Sequence, residues 1–99
     1  MPSVRYTRRA RNDVDEIIEY IAHDNPSAAE TFFHRLVGKF YDLAQSPLMG
    51  REHTEFGAEV RLLPFGNYII FYRPETSGVI IVRVLHGARH LPAAFNSEG

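Results

Sequence analysis

The chain has 99 residues, and a chain of that length buries roughly 60–70% of its unfolded surface, enough for one modest core and one domain spanning residues 1–99. Eleven Lys and Arg against twelve Asp and Glu leave a formal charge of −1, so the chain lacks the cationic average on which bulk nucleic-acid binding by counterion release depends. The absence of cysteine excludes disulfides, thiolate metal sites and thiol nucleophiles, and no apolar run reaches the ~20 residues of a membrane span, so a cytoplasmic protein without a secretion signal is expected.

The hydrophobic fraction of 44% and the aromatic fraction of 12% fit a packed globule. Ten of the eleven cations are Arg, with Lys39 the single lysine. Arg suits planar, bidentate contacts with carboxylates or phosphates, although a GC-rich genome would give the same bias.

Ser3-Val4-Arg5-Tyr6 alternates as a short strand does. Thr7 then caps a helix whose apolar positions Ala10, Val14, Ile17, Ile18 and Ile21 follow the i, i+3, i+4, i+7 spacing, with Arg11, Asp15, Glu16 and Glu19 opposite. The helix stops near Asp24. Asn25-Pro26 restarts the chain, Asn as an N-cap and Pro at the first helical position, where no hydrogen bond is lost. A second helix carries Ala29, Phe33, Leu36, Phe40 and Leu43 on one stripe, with Phe32 beside it, and ends at Ser46-Pro47. Gly38 inside this helix costs about 1 kcal/mol against Ala and reads as a point of close backbone approach. The two helices form an antiparallel hairpin.

Pro47 to Gly57 lacks periodicity and reads as loop. Glu59 to Leu63, Tyr68 to Arg73 and Val79 to His86 are then β-branched and aromatic runs, separated by Pro64–Asn67 and Pro74–Gly78 as turns. The expected fold is therefore α+β: a short N-terminal strand, an antiparallel helical hairpin and a three-stranded antiparallel meander covered by helices on one face. A short turn of helix is expected after Pro92.

Strict alternation places Ile80, Val82 and Val84 under the helices, with Val60 and Leu62, and leaves Val79, Ile81, Arg83 and Leu85 with Arg61 on an open face. Such a partly apolar, uncovered face is a binding surface. An apolar segment with acidic residues is its expected cover. His23, His34 and His53 show no metal-ligand spacing, so no metal and no cofactor are expected. Arg8, Arg9 and Arg11 cluster at the first helix start, either solvated or facing an acidic partner.

Tyr20-Ile21, Asn25-Pro26 with Ala28-Ala29, Pro47 with Gly50-Arg51, Val60-Arg61, Tyr68-Ile69-Ile70-Phe71-Tyr72-Arg73 and Val82-Arg83-Val84-Leu85-His86-Gly87-Ala88-Arg89 together resemble the RelE/ParE toxin superfamily, over about residues 3 to 95. The Asn-Pro helix start and the Val-Leu-His-Gly-Ala-Arg ending look most like its ParE branch. The resemblance implies the toxin of a type II toxin–antitoxin system, of the plasmid-stabilisation kind. Such a toxin inhibits DNA gyrase by protein contact, without catalysis, and is neutralised by a ParD-like antitoxin in a hetero-oligomer. It implies neither a membrane partner nor direct sequence-specific nucleic-acid binding. Arg61, Val79, Ile81, Arg83, Leu85 and Arg89 would bind the antitoxin or the target.

The RelE branch implies the alternative, a ribosome-dependent mRNA endonuclease. Cleavage through the 2′-hydroxyl needs a base, an acid and cations for the phosphate. Arg61 and Arg83 match the arginine positions of that branch, but Glu55 and Glu59 stand near its lysines and Phe95 at its tyrosine. His90, with His86, would then have to move the protons. A third reading is an inactive relative that only binds its antitoxin.

Overall fold

The computed structural model describes residues 2–96. Its elements are β1 (Ser3–Tyr6), α1 (Arg8–Asp24), α2 (Pro26–Gln45), β2 (Arg51–Glu52), a 3-10 turn (Thr54–Phe56), β3 (Arg61–Phe65), β4 (Tyr68–Glu75), β5 (Gly78–His86) and α3 (Leu91–Asn96). The helix starts are those the caps predict. The Thr7 hydroxyl accepts from the Ala10 N–H at 3.0 Å, and the Asn25 side chain accepts from the Ala28 N–H at 3.0 Å.

The strands form one sheet in the order β1-β5-β4-β3-β2. The meander β3–β4–β5 is antiparallel, but β1 joins β5 in parallel, so the sheet is mixed. Gly78 makes that junction possible: a Cβ there would sit 1.9 Å from the Ser3 carbonyl oxygen, at a φ of +151° that other residues rarely adopt. Two small elements fall in the segment expected to be loop: β2, which edges the sheet beside β3, and the 3-10 turn.

Ala10, Val14, Leu36, Phe40, Leu43 and Ala44 from the helices meet Ile70, Tyr72, Val79, Ile81 and Val84 from the sheet. The second face is also covered. Val60, Phe71 and Leu85 pack under Ala94 of α3, with Phe56, Leu62, Ile69, Val82, Leu91 and Phe95 around them. This corrects the expectation of a sheet covered on one face only.

One irregularity explains why Val79 and Ile81 lie on the face opposite to the expected one. Tyr72 pairs with Ile81 and Phe71 with Arg83, so Val82 is an extra residue opposite the Phe71–Tyr72 step. A bulge of this kind shifts alternation by one. Val79 and Ile81 therefore face the helices together with Val84, while Arg83 and Leu85 face α3. Val60 and Leu62 belong to the α3 side as well, opposite to the expected placement. Gly38 departs in another way: nothing lies within 4 Å of where its Cβ would be, so no close approach explains it.

Candidate functional site

Arg83, expected on an open surface, is only 1% exposed. Its Nε donates to Asp13 Oδ2 at 2.7 Å and its Nη2 to Asp13 Oδ1 at 2.9 Å, a bidentate pair. Its Nη1 donates to the carbonyls of Ala94 at 3.1 Å and Phe95 at 2.6 Å, near the end of α3. The guanidinium thus ties α1, β5 and α3 together. Asp13 also accepts the Val84 N–H at 3.0 Å. β1 ends its pairing at Tyr6–Ile81, so beyond that point α1 side chains take over the edge of β5. Thr7 donates its hydroxyl to the Val82 carbonyl at 2.8 Å, and Asp13 serves the next outward amide.

Sequence reasoning missed Asp13. Its signal was present: an acid at position 13 lies inside the apolar stripe of positions 10, 14 and 17, where a charge needs a buried partner.

Arg61 does not share a face with Arg83. It pairs across the sheet with Tyr72, on the helix side, and Arg83 pairs with Phe71 on the α3 side. Arg61 Nη1 donates to the Gly50 carbonyl at 2.7 Å and to that of Leu48 at 3.5 Å. The Tyr72 hydroxyl accepts from the Gly50 N–H and donates to the Pro47 carbonyl, each at 2.7 Å. These contacts fasten residues 47–50 to the sheet. A Cβ on Gly50 would stand 2.7 Å from that hydroxyl, so glycine is required there. Burial pushes the Tyr72 hydroxyl pKa up, against the Gly50 hydrogen bond and the Arg61 charge.

The remaining expected residues divide sharply. Val79, Ile81 and Leu85 are buried in the two cores and present no surface. Phe95 lies in an aromatic group, with ring centroids 5.2 Å from Phe56 and 5.1 Å from Phe71. His86, Arg89 and His90 are exposed. His86 and Arg89 line one groove of about 470 Å³ with Glu16, Tyr20 and Tyr68, whereas His90 does not line it. His86 Nδ1 accepts from the Ala88 N–H at 3.1 Å, which leaves Nε2 as the nitrogen facing outward chemistry. Tyr68 stacks edge-on against His86 at 5.2 Å. Burial pushes the Tyr68 hydroxyl pKa up, and the neighbouring Tyr20 adds to this.

A second groove, of about 290 Å³, opens between the helices and is lined by Tyr6, Arg11, Val14, Asp15, Phe33, Val37 and Phe40. Phe33 and Tyr41 are 41% and 51% exposed. With Val37 they form an i, i+4, i+8 apolar stripe along α2. Arg11 lies 5.7 Å over the Tyr6 ring at the rim. Among the described residues no helix is long and apolar enough to cross a membrane, and no group of three metal-ligating side chains comes together.

The family model for the ParE toxin of the type II toxin–antitoxin system parDE matches residues 4–91. Toxin RelE2 of Caulobacter vibrioides is 36% identical over 89 residues, covering 90% of this chain and 99% of that protein. Toxin ParE3 of the same organism is 26% identical over 99 residues, covering 99% of each. Among solved structures, a chain of the chromosomal ParDE system from P. aeruginosa is similar in fold. Its TM-score is 0.70 at 24% identity, over 87% of this chain and 96% of that one.

Proposed function

The chain belongs to the ParE toxin family of type II toxin–antitoxin systems, and from that premise we propose that it poisons DNA gyrase by protein contact and is neutralised by a ParD-like antitoxin. Its place of action is then the cytoplasm.

The observation that carries the non-catalytic reading is the burial of Arg83. RNA cleavage requires cations at an open surface, beside groups that exchange protons. Arg83 is held by Asp13 and two α3 carbonyls, Arg61 is committed to loop carbonyls on the opposite face, and Phe95 has no proton to exchange. The cations that match the nuclease pattern thus neither meet nor face solvent together. Relatives bear both ParE and RelE names, so this reading rests on the site and not on the fold.

In this reading the antitoxin covers the helix hairpin and not the sheet. The stripe Phe33, Val37 and Tyr41, rimmed by Arg11, suits an amphipathic segment with an acidic residue, which an antitoxin would supply. Binding there adds stability by mass action. Phe33→Glu is expected to weaken the complex by about 2 kcal/mol or more, as for a central anchor. An unchanged dissociation constant would remove this surface from the interface.

The test of target is direct. Purified full-length chain should inhibit gyrase supercoiling and raise cleaved-complex levels. The nuclease reading keeps one observation in its favour, that His86, Tyr68 and Arg89 line one groove. If His86 or His90 were the base, the double variant His86→Ala, His90→Ala would lose about 10²–10⁴-fold in rate and with it toxicity. We expect that variant to stay toxic, with no new A-site cuts in mRNA from poisoned cells. A folded, non-toxic variant, alongside A-site cutting by the wild type, would transfer the assignment to the nuclease. Normal supercoiling at large excess, without RNA cutting, would favour an inactive relative.

A further inference from the structure

Arg9 holds polar atoms that the fold buries and does not satisfy. Among the described residues, two buried side-chain nitrogens have no hydrogen-bond partner, and both, Nε and Nη2, belong to Arg9. Buried polar atoms are paired almost without exception, and a buried charge left unpaired costs stability, so such an orphan calls for a cause. The ion pairs among the described residues are Arg5–Glu75, Lys39–Asp42, His53–Glu55 and Arg83–Asp13, and none includes Arg9.

The two unpaired atoms form one edge of the guanidinium, and this molecule shows what that edge binds. Arg83 donates from the same two positions, Nε at 2.7 Å and Nη2 at 2.9 Å, to the two oxygens of Asp13. The parallel N–H groups of that edge match a carboxylate in spacing and in plane. Asp13 stands four residues after Arg9, on the same side of α1, but its oxygens are committed. Oδ1 accepts from Arg83 Nη2, and Oδ2 accepts from Arg83 Nε and the Val84 N–H. The chain thus builds two carboxylate forks near each other and supplies a carboxylate for one.

We propose that Arg9 anchors a carboxylate from outside the chain, carried by a Glu or Asp of a partner protein. Arg9 is half-buried as a whole, so rotation about the outer bonds of its side chain brings the Nε–Nη2 edge to the surface. There it pairs bidentately with the incoming carboxylate, and the complex removes the penalty that the free chain bears. Arg8 is exposed and has no ion pair either. A polypeptide with adjacent acids engages both arginines, whereas one small carboxylate engages one, so the occupant is an acidic segment. Residues 9 and 11 lie roughly 200° apart around the helix, which sets this anchor away from the Arg11 rim of the hairpin groove. Its role depends neither on that groove nor on gyrase being the target.

The experiment follows the Arg9 Nε–H resonance of the full-length chain by NMR, assigned by its loss in Arg9→Met. A blocked tetra-glutamate peptide should move it downfield to saturation. Sodium acetate should move it the same way at higher concentration, and inorganic phosphate at equal ionic strength should do no better than acetate. Arg9→Met should weaken peptide binding by about tenfold or more. Arg9→Lys, which keeps the charge and loses the fork, should also weaken it. A second readout separates an anchor from a structural residue. Arg9→Met keeps the apolar stem and removes the unpaired atoms, so it should melt no lower than the wild type. The proposal is overturned by a lower melt, by full peptide affinity in either folded variant, by shifts that do not saturate, or by saturation with acetate or phosphate and not with the peptide.

Discussion

The two faces of the sheet are closed by different means. The helix side is closed by redundancy: eleven buried residues from four elements interlock, and nearly all are apolar. The α3 side is closed by a short helix of six residues over a smaller cluster, fastened through a single buried guanidinium. Dispersed apolar packing loses a few contacts when one side chain is truncated. A clamp made of one ion pair leaves a buried charge stranded when either partner is removed. The same sheet is thus tolerant on one face and brittle on the other.

The sharpest test of that contrast is Arg83→Ala. It leaves Asp13 charged and buried and strips two α3 carbonyls of their donor, so we expect a loss of about 3–5 kcal/mol, a large part of a small domain's stability. Urea unfolding measures it. A cost no greater than that of a single valine truncation, such as Val79→Ala on the helix side, would end the distinction. Replacing Asp13 and Arg83 together by leucine and methionine should recover much of the loss, since a packed apolar pair is often as stable as a buried ion pair.

Phe95→Ala comes next. Its ring closes the aromatic group with Phe56 and Phe71, and it is half-buried, so a cost of about 2–3 kcal/mol is expected, below that of a fully buried phenylalanine. Loss of the α3 amide protection in hydrogen exchange, with β4 and β5 still protected, would show that this face opens by itself.

Tyr72→Phe probes the helix side at a polar fastening that Tyr72 shares with Arg61. It removes the acceptor for the Gly50 N–H and the donor to the Pro47 carbonyl, which we expect to cost about 1–3 kcal/mol. The hydroxyls of Tyr72, Tyr68 and Tyr6 are all raised above the ordinary value of 10.0, chiefly by burial. A raised folded value favours the protonated form in the folded state. Their contribution is therefore fully present below pH 10 and is lost as pH rises above it. Stability should fall on the alkaline side above pH 10, and less steeply in the Tyr72→Phe protein; equal slopes would exclude Tyr72 as a contributor.

The smallest effect expected is a gain. Gly38 lies in α2 with open space around its missing side chain, so Gly38→Ala should stabilise by about 1 kcal/mol through helix propensity alone. A thermal melt checks it. Destabilisation would mean that the helix side is less tolerant than its redundancy suggests.

The sequence alone determined much of the architecture, because the relevant signals are local. Thr7, Asn25 and Pro26 set the helix starts through hydrogen bonds within a few residues, and the 3.6-residue period set the buried stripes of α1 and α2. The change to strand character after Gly57 marked the meander. The ordered fragments from Tyr20-Ile21 to the Val-Leu-His-Gly-Ala-Arg ending were enough to indicate the toxin family. Which face each strand residue occupies was decided only in the tertiary structure. The bulge at Val82 shifts the alternation by one, so Val79 and Ile81 face the helices while Arg83 and Leu85 face away from them. The parallel pairing of β1 and the meeting of Asp13 with Arg83 are likewise long-range: the pair is separated by 70 positions, and no local pattern links them. The candidate site was less legible than the fold for this reason. A binding surface is whatever the packed chain leaves uncovered, and here both faces of the sheet are covered by contacts between segments far apart in the chain.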